Sequence, residues 1–521
     1  MPRSRHRVLT ALTVTVAVVL AACGGGAKRQ PTALPTTTTP TTAAAPSTTE
    51  VTSPPASTPK FTLNFTPCPS GEGFLCASAK PPLDYRDPDG PTQLVRVTKL
   101  PASGPAKQRI GTLFVNPGGP GASAIDFVHD IRQLLPRNVL ARFDLIAFDP
   151  RGVGASDGIE CESGAELDRF FAVDPTPDNP AERQALIDTS RQFAAECAQR
   201  NPAELAHVDT RTVARDWDLI RQALGEDKIT YLGFSYGTFL GAMYADMFPS
   251  HVRAFVLDGA IDPSLSMEEV NHQQAVGFEK ELALFLADCA AKISCPFHSG
   301  GNPGAAFESL SARIDRTPIP TNSGRSVGPG EFFFAVARSL YSQSSWPGFA
   351  TALQQAATQG QADDLLALSD NYTERKPDGT YGDLLSANNA VNCLDRPAPK
   401  DPAAYDAQAA RFATDSPHFG AALAYGGLVC GLWPFPATDQ PRPLRAAGSA
   451  PIVVIGTTND PATPYAWAQA LAGQLEHGVL VTHEGNGHTA FGTSNGSQCI
   501  PNLEWAYLLD LTVPPPNTTC R

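Results

Sequence analysis

No CxxC pair and no Cys/His cluster occurs in this chain, although it carries 11 cysteines and 10 histidines. That absence argues against a structural or catalytic metal site of the usual spacing. Basic residues are outnumbered, 39 Lys and Arg against 52 Asp and Glu, for a net charge of −13. An acidic surface of this kind argues against nucleic acid as a partner. There is no internal repeat, and no glycine-rich segment is followed by the lysine of a phosphate cradle. The uncharged stretch Val8–Ala22 near the N-terminus is too short to cross a bilayer comfortably as a helix.

What the N-terminus does contain is a leader. Arg3, Arg5 and Arg7 precede the apolar stretch, and "LAAC" closes it, as in a secretory signal peptide over residues 1–22. "LAAC" followed by glycines resembles a bacterial lipobox, which makes Cys23 the expected lipidated first residue of an exported, membrane-anchored protein. Residues 23–60, with "PTALPTTTTPTTAAAPSTTEVTSPPASTP", have almost no large apolar side chains to offset their ordering entropy. Their prolines keep the segment extended, so it reads as a disordered tether holding a body off the membrane by the lipid anchor alone.

Beyond Cys23 ten cysteines remain, an even number suited to disulfides in an exported chain. They fall into sequence neighbours, 68–76, 161–197, 289–295, 393–430 and 499–520. Ten thiols allow on the order of 900 pairings, and the sequence leaves the connectivity open.

In the body, "TQLVRVTKL" alternates as a half-exposed strand does. "IGTLFV", "FDLIAF", "KITYLG", "VRAFVLDG", "PIVVIG" and "GVLVTH" are more continuously apolar, like strands buried on both faces of a parallel sheet. Helical patterns lie between them; in "TVARDWDLIRQALG", Val213, Trp217, Ile220 and Leu224 share a face. The alternation predicts an α/β fold, a mostly parallel sheet with helices on both faces. The rhythm breaks between Asp258 and Pro451. The expected organisation is therefore a core over residues 61–260, a mainly helical lid over 261–445, and the rest of the core over 446–521.

Three motifs fall at the ends of these strands. "GFSYG" puts Ser235 between a strand and a helix, the context of a nucleophile elbow. "VNPGGPG" follows "IGTLFV" where backbone N–H donors for an oxyanion are expected. Pro117 and Pro120 have no N–H, so Gly118 and Gly119 are the candidates, with Gly119 preferred and Tyr236 supplying the second donor. "GTTNDPATP" puts Asp460, and "HEGNGHTAF" puts His488, just past the last strands. Serine, then acid, then histidine is the chain order this fold uses. His483 and His477 compete as the base, and Asp258 as the acid. Thr463 either bonds back to the Asp460 loop or caps the next helix. In "FDPRGVGASD", Asp149 and Arg151 read as an internal pair bracing nearby loops, with a substrate carboxylate as the alternative partner of Arg151.

Assembled, "VNPGGPG", "FDLIAFDPRGVGASD", "YLGFSYGT", "VLDGAIDP", "AVNCLD", "GTTNDPATP" and "GNGHTAF" resemble the secreted actinobacterial tripeptidyl aminopeptidase family of α/β-hydrolases. That family includes mycobacterial cell-envelope serine proteases described as carboxylesterases. "VNPGGPG" is also similar to the glycine–proline loop of proline iminopeptidases, with Pro117 where those carry a histidine. The resemblance implies an α/β-hydrolase fold and hydrolysis through an acyl-enzyme, without a cofactor or metal. Aminopeptidases of the family read a free N-terminal amine with acidic groups in the lid, which implies Glu268 and Glu269 of "SMEEVNHQQ" as amine-binding residues. An exopeptidase releasing short peptides from a peptide or protein substrate is the leading expectation. A carboxylesterase or lipase acting on short acyl esters, and a noncatalytic envelope-binding lipoprotein, are the alternatives. The motifs do not address oligomeric state.

Overall fold

In the computed structural model, residues 60–491 and 497–521 are described. The leader, Cys23 and the tether up to residue 59 lie outside the described residues. The described residues contain twelve strands: β1 (Thr66–Pro67), β2 (Leu75–Ala79), β3 (Val95–Leu100), β4 (Gly111–Asn116), β5 (Phe143–Phe148), β6 (Ile229–Phe234), β7 (Val252–Asp258), β8 (Ile319–Pro320), β9 (Ser326–Val327), β10 (Ile452–Asn459), β11 (Gly478–Asn486) and β12 (Thr518–Cys520). Ten of them form one sheet in the order β1-β2-β3-β5-β4-β6-β7-β10-β11-β12, and β8 with β9 makes a separate hairpin. β1 to β3 run antiparallel along one edge, and every pairing from β5 through β12 is parallel. Every residue of β4 and β6 is buried, which is why they read as unbroken apolar runs.

The first helices pack around this sheet: α1 (Ala124–Ile131), α2 (Arg137–Arg142), α3 (Gly164–Ala172), α4 (Pro180–Arg200), α5 (Thr210–Ala223) and α6 (Tyr236–Met247). α5 turns Val213, Trp217 and Ile220 inward. Trp217 stacks on Phe255 of β7 and lies against Tyr231 of β6. The last two helices, α16 (Tyr465–Gln474) and α17 (Cys499–Asp510), follow β10 and β11.

Between β7 and β10 the chain builds the helical insertion: α7 (Met267–Ala291), α8 (Pro303–Arg316), α9 (Pro329–Leu340), α10 (Trp346–Gln359), α11 (Asp363–Thr373), α12 (Leu384–Asp395), α13 (Pro402–Phe412), α14 (Gly420–Gly426) and α15 (Leu428–Gly431). It has its own core, in which Phe278 and Phe285 of α7 meet Phe332, Trp346 and Phe349. α3 and α4, which precede the insertion in sequence, join it in roofing the carboxyl edge of the sheet: Phe170, Phe171, Leu186 and Ser190 line the same cavity as insertion residues.

The cysteines pair as sequence neighbours: Cys68–Cys76, Cys161–Cys197, Cys289–Cys295, Cys393–Cys430 and Cys499–Cys520. Cys393–Cys430 ties α12 to α15 across the roof, with Cys430 at the cavity wall. Closing a loop of 37 residues stabilises by about 4 kcal/mol on the chain-entropy account. Replacing both cysteines by alanine is therefore expected to lower the unfolding midpoint in a thermal or denaturant melt, with proteolysis within α12–α15 appearing first.

Candidate active site

Parallel pairing brings the ends of four strands side by side. Asn116 of β4 is level with Gly233 of β6, Phe234 with Asp258 of β7, and Asp258 with Ile455 of β10. Ser235 leaves β6 at φ +54°, ψ −125° and opens α6, a strained conformation that turns its side chain out of the sheet. The elbow is held from below: Ser235 N donates to the Asp258 carbonyl, and Thr238 N and Oγ1 donate to the Ser235 carbonyl. Gly237 packs so closely against Asn116 that a Cβ there would lie 2.8 Å from Asn116 Oδ1.

The glycine–proline loop lies directly over this turn. Gly118, at φ +101°, approaches until an added Cβ would sit 2.8 Å from Ser235 Cβ and 2.9 Å from Tyr236 N. Its own N–H is committed to Asn116 Oδ1 at 2.9 Å. With Gly118 N–H so engaged, Gly119, which lines the cavity, is the candidate donor of this loop. Tyr236 N–H, at the first position of α6, has no acceptor within its own helix. Its side chain is pinned from the lid: Tyr236 OH donates to Thr210 Oγ1, which donates to Asp395 Oδ2 at the end of α12.

Asp460 follows β10 and its side chain is fully buried. It accepts from Ala462 N, Thr463 N, Thr463 Oγ1, Thr489 N and His488 Nδ1, the last at 2.9 Å. Thr463 Oγ1 also lies 3.2 Å from His488 Nδ1, so it bonds back to the acid loop. Burial works against the imidazolium. The Asp460 carboxylate outweighs it, with a smaller contribution from Asp258, and His488 is held above its ordinary pKa. Ser235 and His488 line one cavity. No hydrogen bond joins them in this structure, a looseness common in unliganded sites.

The competing residues are elsewhere. Asp258 is buried and accepts from Ala490 N and Phe491 N, anchoring the chain just beyond His488 rather than touching the imidazole. Burial raises its pKa to about 6. His483 is buried in β11, and His477 lies beside Glu476 at the surface. The expected Asp149–Arg151 pair does not form. Arg151 makes a bidentate bond to Asp216 and donates to three backbone carbonyls, because the fully buried guanidinium needs all its donors satisfied. Asp149 instead accepts from Ser123 Oγ, Ile125 N and Ala155 N. Arg151 is 1% exposed, so it is out of reach of substrate.

Glu268 and Glu269 are not brought to the site. Glu268 bonds Gln408 and pairs with Arg411, and Glu269 closes the capping box of α7 with Ser266. Neither lines the cavity, which has a volume of about 630 Å³. Among the described residues that do line it there is no Asp or Glu; its walls are largely aromatic and aliphatic, with Arg338, Arg396 and a set of carboxamides.

Two lid residues support the candidate site without standing out in the sequence, Tyr341 by direct contact and Asp395 through Thr210. The Tyr341 carbonyl accepts from His488 N at 2.8 Å, and its ring meets the imidazole edge-on. Nothing in "RSLYSQSSW" signals this. Asp395 belongs to "AVNCLD", where the motif was visible but its role was not.

A profile of the alpha/beta hydrolase fold matches residues 111–298, and one described as TAP-like protein matches residues 416–520. The chain is 37% identical over 481 residues to serine protease Hip1 of Mycobacterium tuberculosis, covering 88% of this chain and 91% of that one. It is 40% identical over 461 residues to carboxylesterase B of the same species, covering 85% and 86%. It is 31% identical over 463 residues to a tripeptidyl aminopeptidase of Streptomyces lividans, covering 85% and 83%.

A base must be unprotonated to accept the serine proton, so activity should fall as pH drops through a His488 pKa held above that of an ordinary histidine. Replacing Asp460 by Asn removes the charge that raises this pKa. The acid limb of kcat/KM against pH should move to lower pH, with kcat down roughly 10³–10⁴-fold.

Proposed function

The chain belongs to the α/β-hydrolase family of these serine proteases, carboxylesterases and tripeptidyl aminopeptidases and is a serine hydrolase; from that premise we propose that it removes short peptides from the N-terminal ends of peptide or protein substrates. The observation that carries this reading is the position of Ser235 and His488 in a roofed cavity of about 630 Å³. A space of this size suits a short chain end, whereas a through-running chain needs an open groove.

Ser235 Oγ attacks the scissile carbonyl as His488 takes its proton, and the carbonyl oxygen becomes an oxyanion facing Gly119 N–H and Tyr236 N–H. Asp460 holds the imidazole with Nδ1–H toward itself and stabilises the imidazolium. Collapse of the intermediate breaks the C–N bond while His488 returns the proton to the leaving amine. Water then enters by the same route: His488 removes its proton as the oxygen adds to the acyl carbon, the bond to Ser235 Oγ breaks, and His488 returns the proton to Oγ as the acid leaves.

The carboxylesterase reading is favoured by one observation, the aromatic walls without a carboxylate, which suit an uncharged acyl group. Both readings are separated by comparing a free-amine tripeptide anilide, its N-acetylated twin and a short-chain acyl ester, with Ser235→Ala as the blank. The exopeptidase reading expects the free-amine peptide to exceed its twin at least tenfold in kcat/KM; cleavage of the ester alone would replace it with the esterase.

Export and lipid anchoring through Cys23 complete the proposal. Among the described residues no helix is long and apolar enough to cross a membrane, so on this reading attachment rests on the lipid. Cys23→Ala should shift the protein out of the detergent phase on phase partitioning of cell extracts.

A further inference from the structure

The cavity offers no carboxylate to a substrate, yet it carries polar groups at one wall. α12 presents Asn388, Asn389 and Asn392 there. The orientation of each carboxamide is fixed by its partner, because a carbonyl oxygen only accepts. Asn388 Nδ2 donates to the Pro120 carbonyl of the glycine–proline loop at 3.1 Å, and Asn389 Nδ2 to the Leu385 carbonyl at 2.8 Å. With its Nδ2 so engaged, Asn388 turns Oδ1 to Asn392, whose Nδ2 donates to it at 3.0 Å.

Each amide group is thus committed to protein through its N–H end. Asn389 Oδ1 and Asn392 Oδ1 receive no donor from any described residue, and both side chains are half-buried in the cavity wall. Asn271 of α7 lines the same cavity, and no described residue hydrogen-bonds its carboxamide. The result is a polar strip without formal charge, in which Asn389 and Asn392 offer free carbonyl oxygens as acceptors. It starts at the loop over Ser235, and Asn392 stands about 6 Å further along α12 at 1.5 Å per residue, about two residues of extended chain.

We propose that Asn389 and Asn392 form an acceptor subsite for N–H groups of the acyl-side peptide, reading the substrate's N-terminal end with neutral dipoles instead of a carboxylate. The N–H donor is either the terminal ammonium or a backbone amide. Two cations line the same cavity, Arg338 and Arg396, and Nη2 of Arg396 is buried without a partner among the described residues; like charge weighs against the ammonium and in favour of the backbone amide. Arg338 Nε is bonded to Asn371 Oδ1, and Arg396 bonds the Leu265 carbonyl and lies over the Phe239 ring. An ester whose acyl group has no N–H gains nothing from the subsite. This inference deepens the exopeptidase reading and rests on it.

The test uses the full-length protein with Asn389→Leu, Asn392→Leu and Asn392→Asp, assayed on a free-amine tripeptide anilide, its N-acetylated twin and p-nitrophenyl butyrate. The ester reports whether the triad is assembled. Each leucine variant should lower peptide kcat/KM relative to ester kcat/KM at least tenfold, with the loss in KM. Asn392→Asp should raise the ratio of free-amine to acetylated peptide if the ammonium is the donor, and leave that ratio in place with weaker leucine variants if a backbone amide is. A peptide-to-ester ratio that neither leucine variant moves, in a protein that cleaves peptides, overturns the subsite alone. A wild-type protein that cleaves only the ester overturns both the subsite and the exopeptidase reading.

Discussion

The buried carboxylate of Asp460 is the constraint on which the rest of the site depends. A carboxylate deprived of water is stable only when donors surround it, and here five converge from two separate segments. Ala462 and Thr463 belong to the acid's own loop; His488 and Thr489 come from the loop after β11. The need to satisfy one buried charge therefore joins two loops that would otherwise be independent, and it fixes the imidazole as a by-product. Asp258 continues the arrangement by taking Ala490 N and Phe491 N. Four consecutive residues from His488 to Phe491 thus hang on two carboxylates at the ends of neighbouring strands.

The lid is bolted to these loops rather than resting on them. Gln274 of α7 donates to the Ala462 carbonyl beside Asp460, and Gly277 packs so closely on Pro461 that any Cβ would meet its carbonyl oxygen at 2.5 Å. The stretch after α9 accepts from His488 N through Tyr341. α12 holds the glycine–proline loop through Asn388 and reaches Tyr236 by way of Asp395 and Thr210. The lid thus reaches all of these loops, directly at the acid, histidine and glycine–proline loops and through Thr210 at Tyr236. A lid attached in this way can vary its cavity-facing residues, and with them its specificity, while the bolts keep the chemistry in register.

The sheet is legible because its central strands are buried: the six continuous apolar runs are β4 to β7, β10 and β11, and the alternating run is the half-exposed β3. β1, β2 and β12 are not, being short or at the edges. Motifs at strand ends led to Ser235, Asp460 and His488 because backbone geometry there demands particular residues in a row. The partners of Arg151 were misread since Asp216 is distant in sequence and Asp149 adjacent; only the fold brings α5 to that loop. Glu268 and Glu269 had the right charge for an amine, but Glu269 is a capping residue, a role that "SMEE" already carries in its spacing. The contribution of α3 and α4 to the cavity was hidden for a different reason. Nothing local marks an amphipathic helix as roof rather than flank.

The pairing of Asp460 with His488 bears differently on the two reactions proposed for this site. An ester expels an alkoxide, which departs with modest help, whereas an amide's tetrahedral intermediate returns to substrate unless its nitrogen receives a proton. A histidine held above its ordinary pKa by a buried carboxylate keeps that proton available at the moment the C–N bond breaks. The same elevation slows the first step at low pH by keeping the base protonated. The five-donor cage around Asp460 therefore matters more to peptide than to ester cleavage. Loosening it, by losing Thr463 or the lid contacts at Ala462 and Tyr341, would leave an enzyme whose chemistry drifts toward esters.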